Sequence, residues 1–331
     1  FYGSKNSQRL CGGFGDSSLY HSRDFRIDFI QPSVPMNRTV VTFSGDSGDG
    51  VQLLGNAFSD LIAQLNLNYS TLPDFPAEIR APAGKIYGVS GFQIQYSNEA
   101  VHTSGQLSDI LFAFNAAGFK KFSARLRKNG SLIYDPSGFD SKNCKFAEFD
   151  IEDLEELQAK KTPVPFSELT RNALQDFQLS EKDKDKNKNI FALGYLVFSI
   201  GGKLDAVIHI LESKFRNNPS TIELLLHLLH AGYNYAETCE ASLNHVPATI
   251  GNTMVAGDYR SITGNQAISL ALLSAPKIFN RPLFFGGYPI TPASEILHEL
   301  SNYTLSEITV KQAEDEIAAA AHPRDAIQRE A

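Results

Sequence analysis

Two short strings carry the residue types from which a reactive site can be built. Gly287-Tyr288-Pro289-Ile290-Thr291-Pro292-Ala293-Ser294-Glu295 sets a phenol and a hydroxyl around two prolines. Gln312-Ala313-Glu314-Asp315-Glu316 places three carboxylates in a row. A carboxylate and a hydroxyl facing one cleft can orient a polar ring and move a proton. Each string also has a plain local reading. Pro289 forces an extended chain after a strand, Thr291 can cap a new helix, and Pro292 suits its first position. The acidic string complements the dipole of a helix start.

A third string, Gly45-Asp46-Ser47-Gly48-Asp49-Gly50, follows the β-branched run TVVTFS and precedes a helical pattern. Its glycines would let the backbone approach a phosphate at a helix N-terminus. The spacing is not G-x-G-x-x-G, and Asp46 and Asp49 would repel a phosphate seated there. A seat for NAD or FAD therefore competes with a tight β–α turn packed against a neighbouring domain. Arg80, in a proline-rich stretch over residues 71–84, can contact an anion or tie that stretch to its own domain. His227 and His230 share a helix face among leucines, which reads as core-facing or interfacial histidine rather than a metal site, since no third ligand has suitable spacing.

The elements that must hold these residues read as α/β. Strand 39–44, the glycine turn and helix 51–65 open a doubly wound domain. The proline-rich stretch reads as a loop, and residues 87–97 alternate like a strand. Residues 109–115, 116–130 and 131–136 form a β-α-β unit, its helix ended by Gly130, which implies a parallel sheet. Beyond Asp150 the periodicity is helical, over 151–158, 167–178, 190–200, 204–215 and 220–241. The alternating charges of 181–189 read as a solvated loop. Residues 244–263 lack any period and form the expected linker. A second unit follows: helix 264–275, a strand over 282–289, helix 294–301, a strand over 307–313 and a helix from Glu314.

Bulk properties narrow the function classes. The 331 residues suffice for about two domains, and 42% hydrophobic with 20% charged residues fits a globular protein. A net charge of −7 argues against a nucleic-acid binder, which needs a clustered basic face. Cys11, Cys144 and Cys239 include no C-x-x-C pair, so they form neither a disulfide framework nor a cluster site, and a cytoplasmic location is expected. The longest apolar run, 190–202, is well short of the roughly 20 residues a spanning helix needs. Residues 1–35 read as a disordered or non-native extension, Met36 as the expected start, and HPRDAIQREA at 322–331 as an interruption of a helix under way.

The YPITP string at 288–292 resembles the signature of the 2-oxoacid:ferredoxin oxidoreductases. The likeness continues through SGDSGDGVQLLGN, LPDFPAEIRAPAGKIYGVSGFQI, DILFAFNAAGF, KNIFALG, AGYNYAET and GDYRSITGNQA, in order, from about Met36 to Ala320. It implies a Rossmann-like gamma domain with a helical extension over 36–243, a linker over 244–263, and over 264–331 the start of a thiamine-diphosphate-binding α/β fold, the pyrimidine-binding domain of an alpha subunit. The implied reaction is oxidative decarboxylation of a 2-oxoacid to acyl-CoA and CO2 with ferredoxin as acceptor. The gamma segment points to 2-oxoglutarate, with pyruvate or a branched-chain 2-oxoacid as alternatives.

By the same resemblance, Thr291 lies beside the thiazolium ring and substrate, and Tyr288, Pro289, Ile290 and Pro292 line the cofactor. Glu314 would hydrogen-bond the aminopyrimidine and promote the imino tautomer that deprotonates C2. Gly45, Gly48, Gly50 and Arg80 become candidate contacts for coenzyme A or a neighbouring subunit. Gly48-Asp49-Gly50 mimics the family's diphosphate motif but lacks its later asparagine, so Mg, diphosphate and iron–sulfur cluster would sit on a beta subunit, without which this chain is inactive. Two readings from other classes stay open: a dinucleotide-dependent oxidoreductase using the Gly45–Gly50 loop, and a non-catalytic assembly module.

Overall fold

The computed structural model describes residues 38–46, 48–75, 88–243, 257, 260–303 and 306–321. Arg80, both terminal segments and most of the 244–263 stretch lie outside them.

A six-stranded sheet begins with β1 (Arg38–Asp46), whose interior is buried throughout, and the glycine turn then feeds α1 (Val51–Gln64). β2 (Asn68–Asp74) and β3 (Val89–Ser97) follow, and the sheet order is β2-β3-β1 continued by β4 (Ser108–Ala113). β4 pairs parallel to β1, but β3 pairs antiparallel to both β1 and β2, so the sheet is mixed rather than wholly parallel. The alternation of β3 has its cause in two unlike faces. Phe92, Ile94 and Tyr96 turn into the core, while Gln93 donates to the carbonyls of Ser104 and Gly105 in the loop covering the other face, at 2.8 and 2.7 Å. Residues 71–74, expected in a loop, pair with β3 instead. Pro73 is tolerated there because β2 is an edge strand.

The helix expected over 116–130 is shorter. α2 (Ala116–Phe122) ends in a brief 3-10 turn, and β5 (Leu126–Tyr134) has already begun where the sequence pattern continues as helix. Sheet pairing overrides the pattern: Leu126 pairs with Ser108, and Arg127 reaches Asp109 at 3.1 Å. Gly130 thus lies within a strand. Then come α3 (Ser141–Ala147), α4 (Ile151–Glu156) and β6 (Lys160–Pro163), the last parallel strand. Leu111, Ala113 and Leu132 pack against α2, α3 and α4 on one face.

The opposite face carries α1 and the helical extension: α5 (Phe166–Ala173), α6 (Glu181–Asp185), α7 (Lys188–Ser199), α8 (Leu204–Phe215) and α9 (Pro219–Thr238). Residues 181–189 are not the expected loop. Ser180 caps α6, two i,i+3 ion pairs brace it, and Lys188 already belongs to α7. α7 is buried along almost its whole length and meets α9 through Gly194 and Gly232. A Cβ on either would sit 2.1 or 2.0 Å from a carbonyl oxygen of the other helix, so the two backbones touch only because both side chains are absent. His227 Nε2 donates to the Ala173 carbonyl at 2.8 Å, and its ring lies against Phe177; it bridges α9 to α5 but, like His230, is exposed rather than core.

A separate two-stranded parallel sheet follows α10 (Gly264–Phe279), formed by β7 (Leu283–Gly287) and, after α11 (Ser294–Ser301), by β8 (Ile308–Gln312). A last helix covers residues 316–321. Among the described residues no helix is long and apolar enough to cross a membrane.

Candidate functional site

The YPITP and acidic strings leave the small sheet side by side. Gly287 of β7 pairs with Gln312 of β8, and Ala313 N donates to Gly287 O at 2.8 Å. Adjacent strands lie about 4.8 Å apart, so Tyr288 and Ala313 depart from one rung at the carboxyl ends of parallel strands. Ligands of open α/β sheets gather at that edge.

Past β7, Tyr288 is half-buried, and Pro289 through Pro292 are exposed. The turn is held by its own backbone: Ser294 donates both its amide and its hydroxyl to Ile290 O, at 2.8 and 2.9 Å. α11 therefore starts at Ser294, with Ala293 at the cap position and no side-chain cap. Thr291 does not cap this helix, and Pro292 lies before it rather than at its first position. The Thr291–Pro292 peptide is cis. With no capping duty, the Thr291 hydroxyl has no hydrogen-bond partner among the described residues.

The acidic string divides its labour. Asp315 accepts from Ala318 N at 2.7 Å and caps the final helix, which starts two residues later than Glu314. Glu314 is exposed and makes no hydrogen bond or ion pair among the described residues. The final helix lies directly over β7, since a Cβ on Gly286 would come 2.7 Å from the Ala319 carbonyl oxygen.

The glycine turn is closed by contrast. Gly50 stands at the start of α1 with φ 70°, and a Cβ there would lie 2.5 Å from Asn189 Nδ2. Asp49 accepts from Asp46 N at 2.8 Å and from Asn115 Nδ2 at 3.1 Å, and pairs with Lys188 Nζ at 2.8 Å. Lys188 also lies 5.4 Å from the Phe114 ring. Burial, reinforced by the neighbouring Asp49 charge, pushes the Asp46 carboxyl up to about 6, while Asn115 and Lys188 pull the other way. The Asp46 amide, Asn115 and Lys188, donors of the kind a phosphate would need, are engaged by the chain's own Asp49 carboxylate. The packing that sequence assigned to a neighbouring domain comes from α7 of the same domain. Gly45 and Gly50 are hemmed in by Asp49 and Asn189, whereas a Cβ on Gly48 would meet nothing.

Sequence reasoning missed Lys188, Asn189 and Asn115, because Lys188 ends a run of alternating charge and nothing local marks it as buried. It also missed Asn265. Thr263 and Gln266 form a capping box at the start of α10, and Asn265 lies inside it.

The family described as "Pyruvate ferredoxin/flavodoxin oxidoreductase" matches residues 40–235, and "Pyruvate flavodoxin/ferredoxin oxidoreductase, thiamine diP-bdg" matches 277–328. The chain is 37% identical to the 2-oxoglutarate oxidoreductase subunit KorA of Mycobacterium tuberculosis over 287 residues, 85% of this chain and 44% of that protein. Its fold is similar to that of 2-oxoglutarate:ferredoxin oxidoreductase from Magnetococcus marinus, solved with 2-oxoglutarate, coenzyme A and succinyl-CoA bound. The TM-score is 0.63 at 22% identity, over 87% of this chain and 45% of that one. The chain thus spans less than half the length of either relative.

Proposed function

Since the chain belongs to the pyruvate ferredoxin/flavodoxin oxidoreductase family, we propose that it forms part of an enzyme that oxidatively decarboxylates 2-oxoglutarate. The products are succinyl-CoA and CO2, and ferredoxin takes the electrons. The substrate assignment rests on the two relatives named above, both of which carry 2-oxoglutarate in their names. Pyruvate and branched-chain 2-oxoacids are the competing substrates.

The observation that carries the reading is the shared rung at Gly287 and Gln312, which sends the YPITP turn and Glu314 out of one sheet edge. Thiamine diphosphate, when bound, supplies the nucleophilic carbon and the electron sink that decarboxylation needs. The donor set fits its aminopyrimidine end: an exposed carboxylate without a competing partner, a half-buried phenol ring and an uncommitted hydroxyl. Glu314 would hydrogen-bond the pyrimidine ring and would be the group that gives up and takes back the proton this ring exchanges. Thr291 offers its hydroxyl to the substrate side. Tyr288, Pro289, Ile290 and Pro292 shape the wall and exclude water. The diphosphate, its Mg and the iron–sulfur cluster belong to a beta subunit, and the site is completed across that boundary. The protein works in the cytoplasm.

The test is co-expression of the full-length protein with its beta subunit, followed by a screen of 2-oxoacids with coenzyme A and either ferredoxin or a viologen dye. Turnover that needs both chains and prefers 2-oxoglutarate is expected. Preference for pyruvate would overturn the substrate, and absence of any 2-oxoacid turnover in an assembled, cofactor-loaded complex would overturn the activity.

A further inference from the structure

Thr291 sits between two anchored carbonyls. Ile290 O, on one side, is held by Ser294, as described. Pro292 O, on the other, receives a hydrogen bond from Asn265 Nδ2 at 3.1 Å, and the same amide donates to Glu295 Oε2 at 2.9 Å. One side chain on α10 thereby spans the far end of the turn and the first residues of α11. An amide –NH2 has two donors, and the two acceptors match them.

Asn265 is itself fixed. Its neighbours Thr263 and Gln266 close the capping box at 3.2 and 3.0 Å. Its own carbonyl accepts from the fully buried Ser269 hydroxyl at 2.9 Å. The clamp therefore starts from the capped end of a 16-residue helix and acts on an exposed turn. Groups that must meet a reacting centre lose rate steeply when displaced by about 1 Å.

We propose that Asn265 is a positioning residue: it fixes the Ile290–Glu295 turn and so aims Thr291 into the cofactor cleft, without touching substrate or cofactor. The inference rests on the site reading above. Asn265→Asp is the variant of choice, since it keeps size and shape, suits the first turn of a helix, removes both donors and sets a charge against Glu295.

Two measurements test it. In the 331-residue chain alone, hydrogen exchange at the Ser294 and Glu295 amides should quicken about tenfold, with the amides of α10 unchanged. In the full-length enzyme assembled with its beta subunit, kcat should fall about 10- to 100-fold with KM for the 2-oxoacid changed less than about twofold. In a Thr291→Val background the same substitution should cost nothing further, because its effect runs through Thr291. Asn265→Ser, which retains one donor, should recover part of the loss. Unchanged turn exchange in the isolated chain overturns the clamp, as does a loss of equal size in both backgrounds. If Thr291→Val by itself leaves turnover intact, the site assignment fails instead, whatever Asn265 does to exchange.

Discussion

The Gly45–Gly50 turn and the Tyr288–Glu295 turn follow one plan, a parallel strand whose carboxyl end feeds a helix, yet they are finished in opposite ways. The first is filled from a distance: Lys188 and Asn189 of α7 and Asn115 before α2 supply a cation and amides to a half-buried acidic turn. The second stays open, with five exposed residues in a row and one long-range side-chain clamp. A strand–turn–helix is thus a frame. Whether it becomes a packed joint or a ligand edge depends on what other segments bring to it.

The largest effect expected is at the open edge. In the assembled enzyme Glu314→Gln should lower turnover about 100- to 10,000-fold, the range for losing a general acid–base partner, measured with the preferred 2-oxoacid at saturating thiamine diphosphate. Wild-type turnover in that variant would remove Glu314 from the chemistry and leave the two turns functionally alike. At the closed turn the loss should be structural. Lys188→Met strands the Asp49 carboxylate beside Asp46, and removing one partner of a buried pair costs on the order of 3 kcal/mol. Urea unfolding should show the lower midpoint with an unchanged slope. A midpoint like wild type would mean that the Lys188–Asp49 pair adds nothing to the hydrogen bonds that hold the turn.

The smallest effect is a pH signature. Asp46 is held up to about 6 in the folded chain, above its ordinary value of 3.8. The proton it retains stabilises the fold below about pH 4, and that contribution is lost as pH rises through 6. Asp46→Asn should therefore melt close to wild type at pH 4 and a few degrees above it at pH 7, in thermal scans at matched ionic strength. A constant gap across that range would show that Asp46 is not buried against Asp49.

Much of this was legible in the chain. α8 and α11 run over the residues that periodicity marked, 204–215 and 294–301, because their apolar stripes repeat at the helical period and carry no competing pattern. α2 shows the limit. Residues 126–130 look helical by period, yet the parallel pairing of Ser108 with Leu126 draws them into the sheet. Pro73 was read as a breaker, and the free edge of the sheet made it harmless.

The site divides along the same line. Local chemistry fixed the two strings, because a proline-bounded turn and an acidic helix start impose their conformations within a few residues. Their meeting at one rung required the pairing of β7 with β8 across 20-odd residues. The roles of Lys188 and Asn265 were hidden altogether. Each is a polar residue whose partner lies far along the chain, Asp49 for the one and Pro292 for the other. Sequence set which residues could form strands, turns and caps; tertiary packing alone chose their partners, because burial strengthens a charge pair or an amide clamp only where distant segments converge.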